Sequence, residues 1–129
     1  PLENRYSFKF DGTSDAFTVT DPAIFHFGAR PFTISVWVKF LAQSNYDILL
    51  STVNTANSQG WYFNLDDSSP NKVKFDYHNG SATLSLVSST AIPLNKWTLV
   101  TVATDKKYIR MYHDTTKVGQ QAWTGTINW

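Results

Sequence analysis

The chain has 129 residues, 42% of them hydrophobic and 16% charged, with a formal net charge of +1. That length and balance suit one globular domain with a single core, and they exclude a disordered chain. A net charge this small offers no general attraction to nucleic acid or anionic membrane. The absence of cysteine removes disulfide frameworks, cysteine-based zinc sites and thiol catalysis. No apolar run approaches the roughly 20 residues of a membrane helix, so neither nucleic-acid binding nor membrane insertion is expected. The chain opens Pro1-Leu2 without a methionine or a signal peptide and reads as a fragment of a longer polypeptide.

In chain order, strand signals recur and helical periodicity is absent. Tyr6, Phe8 and Phe10 alternate with polar residues before the turn pair Asp11-Gly12, and Phe17 and Val19 resume until Asp21-Pro22. Phe32, Ile34, Val36, Val38 and Phe40 form the longest alternating run, with Thr33, Ser35, Trp37 and Lys39 on the other face. Ile48-Leu49-Leu50 follows the polar loop Gln43-Ser44-Asn45 and reads as a buried strand. Trp61, Phe63 and Leu65 alternate with Tyr62 and Asn64. After Asp66–Asn71, Val73, Phe75 and Tyr77 alternate with Lys74, Asp76 and His78. Asn79-Gly80 predicts a two-residue hairpin leading to Ala82, Leu84 and Leu86. Strands at Trp97–Asp105 and Tyr108–His113 flank a Lys106-Lys107 turn, and Thr116–Gln120 and Thr126–Trp129 close the chain. About eleven short strands predict an all-β, two-sheet antiparallel sandwich over residues 1–129. Trp37, Trp61 and Trp97, all within strand runs, are expected to be mostly buried.

Four segments, in this order, resemble the laminin G-like, concanavalin A-like jelly roll: Phe8-Lys9-Phe10-Asp11-Gly12, Phe32–Val38, Trp97–Asp105, and Met111-Tyr112-His113-Asp114 within the last hairpin. Thr115 stands where that family usually has glycine. The resemblance implies a further strand beside Tyr6–Phe10, with a pattern like Ile-Asp-Glu-Val-Arg-Ile-Tyr, and no such pattern occurs in this sequence. Another chain or further sequence is therefore expected to pair with that edge. The resemblance also implies a recognition or adhesion module of an extracellular, cell-surface or virion protein, binding glycan or a protein. The alternative is a structural domain packed against neighbouring domains or subunits of a fibre or capsid.

Glycoside hydrolysis is the enzymatic alternative, because the same sandwich hosts glucanases. It needs two carboxyl groups astride one bond. The glucanase branch carries them as Glu-x-Asp-x-(x)-Glu on one strand, whereas this chain has the single glutamate Glu3 and aspartates mostly in turns. His26, His78 and His113 lie far apart, with no Gly-x-Ser-x-Gly elbow to support a triad. No catalytic residue is therefore assigned.

The hairpins predict a shared sheet face opposite the core. A two-residue Asn79-Gly80 loop pairs Asp76 with Thr83 and Lys74 with Ser85; the preceding hairpin sets Tyr62 near Asp76 and Asn64 near Lys74. The candidate ligand face is then Tyr62, Asn64, Lys74, Asp76, His78, Thr83 and Ser85, in competition with an ordinary solvated surface. An aromatic ring beside amide, carboxylate and hydroxyl groups suits a pyranose, which has an apolar side and a hydroxyl rim. No cofactor is required by this reading. Related modules hold Ca²⁺ at the rim, and Asp66-Asp67 is the local candidate pair, with Asn71 near and Asp105 and Asp114 as further rim carboxylates. Asn79-Gly80-Ser81 fits a glycosylation sequon.

Overall fold

The computed structural model describes residues 6–20, 23–42, 47–52, 59–123 and 125–128. Glu3, Asp21-Pro22, Gln43-Ser44-Asn45 and Trp129 lie outside the described residues. Among the described residues, a short 3-10 helix, Ala23–Phe25, precedes eight strands. These are β1 (Thr33–Val38), β2 (Ile48–Ser51), β3 (Trp61–Leu65), β4 (Lys72–His78), β5 (Thr83–Ala91), β6 (Thr98–Thr104), β7 (Tyr108–His113) and β8 (Thr116–Ala122). They form two antiparallel four-stranded sheets, ordered β1-β6-β7-β8 and β2-β3-β4-β5. The architecture is the expected concanavalin A-like sandwich.

Each sheet turns its apolar alternation inward. Phe63, Leu65, Val73, Phe75 and Tyr77 from one sheet face Val100, Val102, Ile109 and Met111 from the other, all fully buried. Phe75 joins the aromatic side chains: its ring lies 5.7 Å from Phe63, edge-on, 5.8 Å from Trp61 and 6.0 Å from Phe32. Tyr77 stacks on Trp123 at 4.9 Å. Such pairs add to the stabilisation from burial alone. Ile127 lies fully buried outside any strand, its N–H bonded to the Gly28 carbonyl. Asn128 beside it donates to the His78 carbonyl and accepts from the Gly60 N–H.

Aspartates lock the turns. Asp105 Oδ1 accepts from the Lys107 and Tyr108 N–H groups, and Oδ2 pairs with Arg110 at 2.8 Å. Asp114 ties the β7–β8 turn back to β6, with Oδ1 accepting from the Leu99 N–H. Asp11 accepts the Thr13, Ser14 and Asp15 N–H groups, which lower its pKa to about 2.

Several expectations are corrected. Tyr6–Phe10 and Phe17–Val19 form no strands; Tyr6, Phe8, Phe10, Phe17 and Val19 are exposed around the Asp11 turn. Alternation alone does not make a strand when no ladder supplies hydrogen-bond partners. Thr126–Asn128 is likewise not a strand. β2 exposes Ile48 and Leu50, because it is an edge strand with a bulge between them. Trp61 is buried, but Trp37 is 59% and Trp97 45% exposed. Trp37 follows core-facing Val36, so its indole stands on the outer sheet face, and Trp97 precedes β6.

Burial orders the tryptophans for mutation. Trp61→Ala should lose roughly 3 to 5 kcal/mol, and Trp97→Ala clearly less, in chemical denaturation. Equal losses would contradict the burial seen here.

A second expected outcome concerns His113, at the end of the inter-sheet core. Burial pushes its pKa below the ordinary value near 6.5, with Asp114 partly opposing. The unfolded chain then takes up this proton first as pH falls. Stability from neutral His113 is complete above about pH 6.5 and is lost as pH falls through the lower folded value. Urea midpoints should drop between pH 7.5 and 5, and His113→Gln should flatten part of that slope.

Candidate functional site

The outer face of the β2-β3-β4-β5 sheet follows from strand alternation. Phe63 and Phe75 enter the core, so Asn64, Lys74 and Asp76 stand on the opposite side. Cross-strand register assembles rows across the sheet. Ser51, Tyr62, Asp76 and Ser85 form one; Ile48, Asn64, Lys74 and Val87 form the next; His78 and Thr83 complete the face. All seven sequence-predicted residues therefore share it.

The β3–β4 register is the predicted one, with Tyr62 opposite Asp76 and Asn64 opposite Lys74. The β4–β5 register differs by two residues: Asp76 opposes Ser85, and Thr83 opposes His78. The reason is the turn. Residues 79–82 form the loop, with the Asn79 side-chain oxygen accepting from the Ser81 and Ala82 N–H groups. Gly80 adopts the positive φ, +90°. A shift of two preserves sidedness, since side chains alternate with period two, so the face survives the register error. Ser51, Ile48 and Val87 were missed; the bulge in β2 hides the first two from a period-two reading.

Several residues of this face are shielded from solvent. Asn64, Asp76 and His78 are buried, and Lys74 is mostly so. Asp76 carries the central charge: Ser85 donates a short hydrogen bond to Oδ1, and Lys74 Nζ lies 3.2 Å from Oδ2. Burial pulls the Lys74 ammonium down, but the charges of Asp76, Asp67 and Asp66 outweigh it and leave its pKa raised. His78 Nδ1 shares a hydrogen bond with the Thr83 hydroxyl at 3.1 Å, and its ring lies 6.2 Å from that of Tyr62. Asn64 Nδ2 and Oδ1, and His78 Nε2, are buried with no hydrogen-bond partner. Native proteins leave few such groups unpaired, because each carries its full desolvation cost.

At the edge, Asp66 is buried and accepts from Ser68 at 2.8 Å. Burial pushes its pKa up, but hydrogen bonds from Ser68, Ser69 and Asp67 and the Lys74 charge reverse this and leave it lowered. Asp67, exposed, lies 4.0 Å from Lys74 Nζ. This carboxylate pair thus already faces a cation. Among the described residues no group of three or more acidic or histidine side chains gathers to hold a metal ion. Of the further rim carboxylates, Asp105 accepts hydrogen bonds within its own turn and Asp114 accepts from the Leu99 N–H of β6.

Asn64 supplies a direct test of the strain in this face. Asn64→Leu, of similar volume, should raise stability by about 1 to 3 kcal/mol by removing the unpaired amide. The urea midpoint should rise with an unchanged slope; a fall would mean that the amide is satisfied in solution.

Comparison with curated proteins finds no match. A family profile does match, over residues 11–129, nearly all of the sandwich described above. The chain belongs to the concanavalin A-like lectin/glucanases superfamily.

Proposed function

We propose that this domain is a non-catalytic recognition module that binds a polyhydroxylated ligand, a glycan, on the outer face of the β2-β3-β4-β5 sheet. The observation that carries this reading is the buried, unpartnered Asn64 amide beside the Lys74–Asp76 pair, with His78 Nε2 likewise buried and unpartnered. An amide offers two donors and an acceptor, which match vicinal hydroxyls. Asp76 and Lys74 supply charged hydrogen-bonding groups, and Tyr62 supplies an aromatic surface for the apolar side of a sugar ring. Ligand hydroxyls that pair with Asn64 and His78 would offset a desolvation cost the free protein already carries.

Two observations favour binding over hydrolysis. A glycosidase acid needs a carboxyl group with a raised pKa. Asp66 is lowered, and so are the turn aspartates Asp11 and Asp105. Asp76 is held by Ser85 and Lys74 rather than facing a second carboxyl group across a cleft. Superfamily membership is compatible with both, since the same fold serves lectins and glucanases.

Glycan-array screening followed by titration calorimetry tests the reading. Asn64→Leu and Asp76→Asn should each weaken binding at least tenfold, while Asn64→Leu keeps the fold. Binding that survives both substitutions, or turnover of the bound glycan, would overturn it.

A further inference from the structure

Gly60 and His78 are the next opposed residues beyond the Trp61–Tyr77 pair of the β3–β4 ladder. In an antiparallel ladder a hydrogen-bonded pair exchanges two bonds, one from each N–H to the opposite carbonyl. One of the two is direct here: the His78 N–H donates to the Gly60 carbonyl at 3.0 Å. The return bond runs through Asn128 instead. The Gly60 N–H donates to the Asn128 carbonyl at 2.8 Å, and the Asn128 N–H donates to the His78 carbonyl at 2.7 Å. The backbone of Asn128 is thus wedged into the ladder where a direct bond would close it.

The surrounding residues are shaped to receive this wedge. Gly60 has a φ of +93°, which side chains disfavour, and its N–H leaves the ladder for Asn128. A Cβ at Gly80 would stand 3.3 Å from Asn128 Nδ2, so the missing side chain leaves the space that Asn128 fills. Ile127 anchors the segment: its side chain is fully buried, and its N–H bonds to the Gly28 carbonyl at 3.0 Å. Phe27, beside Gly28, stacks on Trp61 at 5.8 Å and ties the same anchor to the start of β3.

We propose that Asn128 is a positioning residue for the ligand face, and that residues 127–128 form a wedge with a docked and an undocked state. The inference rests on the reading of that face as a ligand site. The backbone of Asn128 sets where the His78 end of β4 stands relative to β3. His78 carries its imidazole to the outer face, where Nδ1 meets the Thr83 hydroxyl at 3.1 Å, so a shift of its backbone moves the ring. Undocking orphans no ladder group, because the Gly60 N–H then bonds the His78 carbonyl directly. It loses the burial of Ile127, which keeps the docked state the major one. A ligand that contacts His78 in its docked geometry therefore also secures residues 127–128, and the wedge in turn favours that ligand.

Proline removes a backbone N–H and alanine keeps it, so two substitutions at one position separate the wedge from its side chain. In the ligand-free protein, the His78 imidazole proton signals in NMR spectra should move in Asn128→Pro and stay in place in Asn128→Ala. Those of His113, in the other sheet, should stay in place in both. Ile127→Ser, which undocks the segment by another route, should move the His78 signals the same way. Hydrogen exchange of the unsubstituted protein needs no variant: the Ile127 and Asn128 amides should exchange together, about tenfold or more faster than the Phe75 amide at the centre of β4. His78 signals that ignore both Asn128→Pro and Ile127→Ser would overturn the proposal, and so would equal shifts in Asn128→Ala. Exchange of residues 127–128 only at the rate of Phe75 would remove the undocked state and overturn it as well. These readouts use no glycan, so a failure of glycan binding with the expected His78 response would sink the ligand reading and leave the wedge standing.

Discussion

The ring of Phe75 is the contact on which the rest of the molecule depends. It lies at the centre of β4, edge-on to Phe63 and within 6.0 Å of Trp61 and Phe32, so it joins β3 of its own sheet to the segment entering β1 of the other. Burying an aromatic side chain of this size is among the larger gains a strand position can supply. It also fixes which way β4 faces. With Phe75 inward, Asp76 and Lys74 must stand outward, and a one-residue slip would drive a carboxylate and an ammonium into the apolar core. Core packing and the polar face are two consequences of one constraint.

That constraint explains how the domain tolerates an expensive outer surface. Asn64 has buried neighbours on both sides in sequence, Phe63 and Leu65, which hold β3 in place whatever the amide lacks. An unpaired amide and an imidazole nitrogen without a partner are costs that a rigid sheet can carry, since the strands cannot re-register to relieve them. Lys74 occupies the middle of the arrangement, its charge balanced by Asp76, Asp67 and Asp66. The polar groups are thus preorganised rather than recruited, which limits the ordering entropy lost when a ligand binds.

The two sides of the sandwich differ in the same terms. Where β5 meets β8, a glycine allows close approach and Leu86 and Val118 close the core. Where β1 and β2 form the opposite edges, the apolar layer is incomplete among the described residues.

The sequence by itself determined the sandwich and its inward faces. Alternation in Trp61–Leu65 and Lys72–His78 leaves one burial solution, and those strands form where the pattern places them. It determined the membership of the polar face as well. The face survived a wrong hairpin register because a two-residue shift does not change sidedness. Tertiary structure decided what alternation cannot encode: whether a strand finds a partner, and whether a face finds a cover. Tyr6–Phe10 alternates as well as β4 does, yet among the described residues it forms no strand of either sheet, because ladders are made with distant residues. Trp37 is as apolar as Trp61, yet one is exposed and the other buried, since only the inner face has a second sheet against it. Burial of Asn64, Asp76 and His78 arises in the same way, from the assembled sheet rather than from any local signal in the chain.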